Sequence, residues 1–285
     1  MLTILFDGIA YGMVLFVLAC GLSVTMGLMN FVNLAHGAFA MLGGYIAVLL
    51  MQKAGAPFLL ILPAAFMGGA IVGLVLERLL YRPMYGKTHL DQVMFTIGIV
   101  FMAVAGADYL MGSSQQIIRL PSWLQGRFEI AGIGIGRYRL FVLCVCGLLA
   151  FSLQWGFTKT RFGSRLRASV DDARVARGLG IPVNRLFALT FAIGSGLAGL
   201  GGALGIELMG LDPSFPLKFM IYFLVVVTVG GTSTITGPFF AAMLLGVGDV
   251  AGKYYVPEIG AFIIYVLMVV LLIARPEGLF ARARS

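Results

Sequence analysis

Long apolar runs dominate this chain, and they leave few folds open to it. Phe58 to Leu76, Phe141 to Phe157, Phe187 to Ile206 and Ile259 to Ala274 each continue for about a bilayer thickness with hardly a charge, and a helix needs about 20 residues to cross the hydrocarbon core. With 60% hydrophobic and 11% charged residues, against about 45–50% apolar content in soluble domains, the chain lacks the polar surface to coat a water-facing globule. The predicted fold class is all-α: a polytopic transmembrane helix bundle of about eight or nine spans. The 39 glycines fit such a bundle, because small residues let helix backbones approach closely inside lipid.

The charges then set a topology. The net charge of +8 does not point to nucleic acid, because the 20 Lys and Arg are grouped between apolar spans, as determinants of orientation are. Seven fall between Lys159 and Arg185, three between Arg78 and Lys87, and three between Arg275 and Arg284. Placing all three clusters in the cytoplasm requires spans near residues 3 to 28, 36 to 52, 57 to 78, 91 to 111, 139 to 158, 185 to 206, 217 to 230, 237 to 251 and 257 to 274. The N-terminus is then periplasmic and the C-terminus cytoplasmic, in a bacterial inner membrane. No basic residue precedes Lys53, so the first span reads as mature protein rather than a signal peptide.

Residues 1–285 read as one transmembrane domain, with a periplasmic loop over about 112–138 that can hold a short hairpin and a cytoplasmic segment over about 159–185. Cys20, Cys144 and Cys146 lie in apolar stretches and suggest neither a metal site nor a disulfide. No phosphate-binding loop of the form G-x-x-x-x-G-K-[ST] is present, so any nucleotide chemistry must come from a partner.

Residues 29 to 36 and 230 to 238 look like breaks within helices. His36-Gly37-Ala38-Phe39 echoes Thr236-Gly237-Pro238-Phe239: a polar, glycine-containing segment opens an apolar helix in both. Transporters often handle substrate at such discontinuous helices near the midplane. Asn30, Asn33 and His36 at the first break, and Gly230, Gly231, Thr232, Ser233, Thr234 and Thr236 at the second, are therefore the substrate-pathway candidates. Unpaired polar groups at membrane depth must face protein, water or substrate. A structural reading stands beside this one: His36 as a hydrogen-bonded brace, and the glycines as a turn joining two half-helices.

The charged stretch from Thr160 to Arg185 reads as a short helix. Ser169 and Asp172 resemble a capping box, Asp171 and Asp172 would sit in its first turn, and Gly180 and Pro182 would stop it. Val170, Ala173, Ala176 or Arg177, and Gly180 would share a small-residue face. This helix is similar to the cytoplasmic coupling motif of ABC importer permeases, in which an acidic residue and an alanine precede a glycine. Asp172, Ala173 and Gly178 match that spacing, while Arg174 stands where many importers have a second alanine. Three further stretches sharpen the resemblance: Asn33-Leu34-Ala35-His36-Gly37 with Gly43-Gly44-Tyr45, Leu179-Gly180-Ile181 with Leu189 to Gly194, and Val229-Gly230-Gly231 with Thr236-Gly237-Pro238. Together they resemble the high-affinity branched-chain amino-acid permease family, LivH-type, from about Gly8 to Gly278.

The resemblance implies one permease subunit of an ATP-driven importer for branched-chain or related amino acids, forming half of the translocation pathway. Expected partners are a second, LivM-type permease, two cytoplasmic ATPases that bind the ATP, a periplasmic solute-binding protein and membrane lipid. No cofactor, metal or catalytic residue of its own is expected. Asp171, Asp172, Ala173, Arg174, Ala176, Gly178, Leu179 and Gly180 would couple to the ATPase. The alternatives are a passive channel or a secondary transporter for small polar solutes such as urea or amides. Enzyme readings rest on Gly246-Val247-Gly248-Asp249 with Asp108, as in intramembrane aspartyl proteases, or on Ser195 with His36. Asp108 and Asp249 are expected near span ends.

Overall fold

The computed structural model describes residues 1–29, 31–130, 133–231 and 236–275, and the chain is an all-α membrane bundle. Its helices are α1 (Leu2–Met29), α2 (His36–Ala54), α3 (Phe58–Leu76), α4 (His89–Met111), α5 (Arg137–Lys159), α6 (Arg161–Asp171), α7 (Ala173–Gly178), α8 (Val183–Met209), α9 (Phe215–Gly230), α10 (Thr236–Tyr255) and α11 (Gly260–Ala274). A wide turn, Glu77–Tyr81, and a tight one, Arg82–Met84, extend α3. Among the described residues, α1, α2, α3 with its extension, α4, α5 and α8 are long and apolar enough to cross a membrane alone. The 16 residues of α9, at 1.5 Å each, fall short of the core thickness.

Burial sorts the spans. The apolar windows of α1 and α8 are each 83% buried, whereas those of α4 and α5 are only 22% and 17% buried. The central pair therefore packs on protein, and α4 and α5 present their apolar sides outward. Glycines make the central crossings possible. A Cβ on Gly43 of α2 would run into the backbone of Gly199 on α8, and one on Gly246 of α10 into Gly12 of α1. At such crossings a methyl group has nowhere to go.

One end of the bundle carries the loop expected to hold a hairpin. It does: β1 (Arg127–Ile130) pairs antiparallel with β2 (Ile133–Gly136), Arg127 opposite Gly136. At this end Arg139 forms an ion pair with Asp7, Gln52 donates to the Ile117 carbonyl at 3.2 Å, and Gln116 N donates to Leu211 O at 2.7 Å. The opposite end gathers the α3 extension, α6, α7 and the start of α8.

Asp108 is exposed at the end of α4 and accepts from Ser113 Oγ at 2.7 Å. Asp249 is covered by protein. Because α10 continues to Tyr255, Asp249 lies inside the helix and is 1% exposed, paired with Lys253 Nζ at 2.6 Å one turn on.

Candidate functional site

The first break is closed by side chains from α4 and the α3 extension. Chain entering α2 leaves its N–H groups without helical partners, and inside a bilayer these must be met by protein. Val32 N donates to Gln92 Oε1 at 3.1 Å, and Leu34 N to Thr96 Oγ1 at 3.3 Å. Tyr81 Oη donates to Asn33 Oδ1 at 3.2 Å. Phe31 packs edge-on against Tyr81 and Tyr85, with ring centroids 5.5 and 5.6 Å apart. Asn33 Nδ2 is buried with no partner among the described residues.

His36 opens α2, and its Nε2 lies 2.9 Å from Leu18 O. A carbonyl only accepts, so Nε2 carries the proton. Asn33 and His36 are both buried. Asn30 lies outside the described residues.

The second break is glycine-built. Gly231 has φ +81°, a conformation that side chains rarely adopt, and its N–H donates to Val227 O at 2.9 Å. A Cβ on Gly230 would meet the backbone of Pro238, so the chain turns back within one close contact. Thr236 opens α10; Thr232, Ser233 and Thr234 lie outside the described residues.

The echo between the two segments is structural: both open helices, and both helix starts pack on the middle of α1. His36 reaches Leu18, while Phe239 meets Phe16 edge-on with centroids 5.2 Å apart. The breaks thus sit at one level, about halfway along a 28-residue helix. Gln92, Thr96 and Tyr81, which organise the first break, were not singled out from the sequence. Their signal was a Gln and a Thr at i, i+4 in an otherwise apolar span, where polar groups require partners.

At the opposite end, the expected single helix is two. Thr160 Oγ1 accepts from Gly163 N at 3.3 Å and starts α6, on which Gly163, Leu166 and Ser169 turn inward. Ser169 is not a cap: it lies in the last turn of α6, its Oγ donating to Arg165 O at 2.8 Å. Asp172 is the cap. Its Oδ1 accepts from Arg174 N at 2.7 Å and Val175 N at 2.9 Å, and with φ −152° it is extended. The carboxylate takes the N–H groups that a continuous helix would bond to carbonyls, so α6 ends and α7 begins there. Asp171 consequently ends α6 instead of standing in a first turn.

The other end of α7 is closed as firmly. Gly180, at φ +78°, donates to Arg177 O, and Ile181 N donates to Ala176 O, both at 3.0 Å. That pair is a complete Schellman cap. Ala176 is covered by the chain itself at 2% exposure, whereas Val175 and Leu179 are 58% and 75% exposed. At i, i+4 they share one outward face, with Arg174, Arg177 and Gly178 exposed around them. Of the expected small-residue face, Ala176 points in and Ala173 is half-buried, while the aliphatic pair points out.

Neither enzyme constellation is assembled. Ser195 Oγ donates to Phe191 O at 2.8 Å and His36 is committed to Leu18. Asp249 is neutralised by Lys253, and Gly246 beside it serves the α1 crossing.

A family model described as the permease component of the branched-chain amino acid transport system matches residues 4–272. The chain belongs to this family. It is similar, at 28% identity over 98% of its length and 95% of the relative's, to the high-affinity branched-chain amino acid transport system permease protein BraD of Pseudomonas aeruginosa. The permease protein LivH of Escherichia coli K12 is 26% identical over 98% of this chain and 94% of its own. A more distant relative, the autoinducer 2 import system permease protein LsrC of an Enterobacter strain, is 29% identical over 49% of this chain and 42% of its own. No solved structure matches. The family is one of multi-pass inner-membrane permease components of ABC importers, not of enzymes; ATP hydrolysis belongs to partner subunits.

Proposed function

We propose that this chain forms half of the translocation pathway of an importer for branched-chain or related amino acids, and that α7 is its contact with an ATPase. The observation that carries the coupling reading is α7 itself. A six-residue helix capped at both ends, holding Val175 and Leu179 in solvent, has the form of a rigid docking element. Asp171 to Gly180 supply its caps and its rim of charge.

In this reading the α7 end is cytoplasmic and the β1–β2 end periplasmic, so Met1 faces the periplasm. A LivM-type permease, two ATPases and a periplasmic binding protein complete the assembly, and this chain needs no cofactor of its own. Asn33, His36, Gly230, Gly231 and Thr236 border the solute pathway at mid-depth, and Asn30, Thr232, Ser233 and Thr234, their neighbours in sequence, complete the candidate set. ATPase closure would move α7, and α8 behind it, to alternate access.

A tagged chain extracted from native membranes in mild detergent tests the assembly by mass spectrometry of co-purifying chains. Two ATPases and a second permease are expected. A homo-oligomer with no ATPase would overturn the proposal.

A further inference from the structure

Four arginines, of which only Arg177 belongs to the coupling element, converge on one cleft. Arg78 and Arg82 follow α3, Arg177 lies on α7 and Arg185 is in the first turn of α8; together with Glu77 and the Gly180–Asn184 connection they line a cleft of about 530 Å³. Among the described residues none of the four has a carboxylate within 4 Å. Glu77, the single acid in the lining, is 1% exposed and already accepts from Tyr85 Oη at 2.9 Å. Three separate elements thus bring four positive charges together against one carboxylate, that of Glu77, which is felt by Arg82 and Arg78, and the excess of like charge favours entry of an anion.

The surroundings identify the anion. Arg78 and Arg82 end one span and Arg185 begins another, so the cleft opens at the membrane–water boundary. Going into the bilayer along the same helices, Val75 and Leu189 are 47% and 51% exposed, and Leu79, between the two arginines of the α3 extension, is 68% exposed, an apolar surface fit for acyl chains. Guanidinium groups bind phosphate oxygens bidentately, and basic pockets between spans take phospholipid headgroups.

We propose that this cleft holds the phosphate-bearing headgroup of an anionic phospholipid, which bridges α7 to the ends of α3 and α8. The headgroup braces a coupling element that otherwise touches the core through little more than Ala176 and its caps. The consequence for coupling rests on the function proposed above; the binding itself does not.

The test is native mass spectrometry of the full chain, purified with its accompanying subunits and offered equal amounts of phosphatidylglycerol and phosphatidylcholine. The wild type retains phosphatidylglycerol preferentially. Arg82→Gln with Arg177→Gln lowers that retention by about tenfold, while Arg119→Gln with Arg127→Gln at the other end leaves it unchanged. Should the first pair fail to fold, Arg78→Gln with Arg185→Gln gives the same readout from the other half of the cleft. Retention that survives excess inorganic phosphate supports the lipid. Displacement of the lipid by that phosphate assigns the cleft to a soluble anion and overturns the proposal. Unchanged retention in both cleft variants also overturns it, and if the ATPases are lost at the same time the cleft docks acidic protein instead.

Discussion

Asp172→Ala removes one oxygen on which two backbone N–H groups depend, those of Arg174 at 2.7 Å and Val175 at 2.9 Å. Helices shorter than about 12–15 residues are marginal in water, so the six residues of α7 owe their order to caps and to the burial of Ala176. Loss of an N-cap costs about 1 kcal/mol, within a range of about 0.5–2. That lowers the ratio of formed to frayed α7 by about fivefold. If the formed helix transmits ATPase motion, solute taken up per ATP hydrolysed falls by up to the same factor, with insertion unchanged. Asp172→Asn separates shape from charge, because Asn caps as well as Asp but carries no charge. Proteoliposomes containing the assembled importer give uptake and hydrolysis in one experiment. Expected are a severalfold loss in Asp172→Ala and near wild-type coupling in Asp172→Asn. Wild-type coupling in the alanine variant refutes the reasoning, and an equal loss in both variants assigns the effect to charge on the partner surface instead of the cap.

Three further perturbations probe the frame. Gly43→Val forces side-chain atoms into the Gly199 backbone and should cost at least about 1–3 kcal/mol as overpacking, seen as a lower melting temperature in detergent; Gly98→Ala, with open space around it, should lower nothing. Lys253→Met strands the buried Asp249 carboxylate and should cost about 1–3 kcal/mol, less than a fully buried pair because Lys253 is half exposed. Adding Asp249→Asn should restore part of the melting temperature; no difference between single and double variants would count against the pair. Asp212, between α8 and α9, feels burial that raises its pKa, but bonds from Lys218 and Ser214 outweigh it and hold the carboxyl below its ordinary value. A depressed folded-state pKa stabilises above the unfolded value and is lost as pH falls through the folded one, so melting temperature should drop between about pH 5 and pH 3, and Lys218→Met should flatten that drop.

Six of the nine expected spans, and the helix starts after both breaks, were legible because apolar length and its interruption are local properties: α2 and α10 begin at His36 and Thr236, where polar residues open apolar runs. The docking segment was legible as a charged insertion but not in its joint. Ser169 and Asp172 both read as caps, and the choice lies in burial. Ser169 is covered by the bundle and spends its hydroxyl on Arg165, while the exposed Asp172 is free to take two N–H groups. The inward turn of Ala176 and the burial of Asp249 depend on how α7 meets α8 and how far α10 continues, which no local pattern contains. The arginine cleft was hidden for the same reason, since Arg78 and Arg177 are remote in sequence and adjacent only in the fold.

One of the two least buried spans nonetheless holds the first break. α4 is 22% buried along its apolar window, yet its Gln92 and Thr96 supply acceptors for Val32 and Leu34, so displacement of α4 must pull on the chain that opens α2. If those bonds hold 31–34 as one unit, Gln92→Met and Thr96→Val should each cost about 1–3 kcal/mol by leaving a buried N–H unpaired. The double variant should then cost less than the two combined, by more than about 0.5 kcal/mol, because the unit is already released by the first loss. Melting temperatures of the four proteins close this cycle, and solute uptake shows whether release of the break opens or disables the pathway. Additive costs would mean that the two bonds act separately, and α4 would then have no concerted grip on the start of α2.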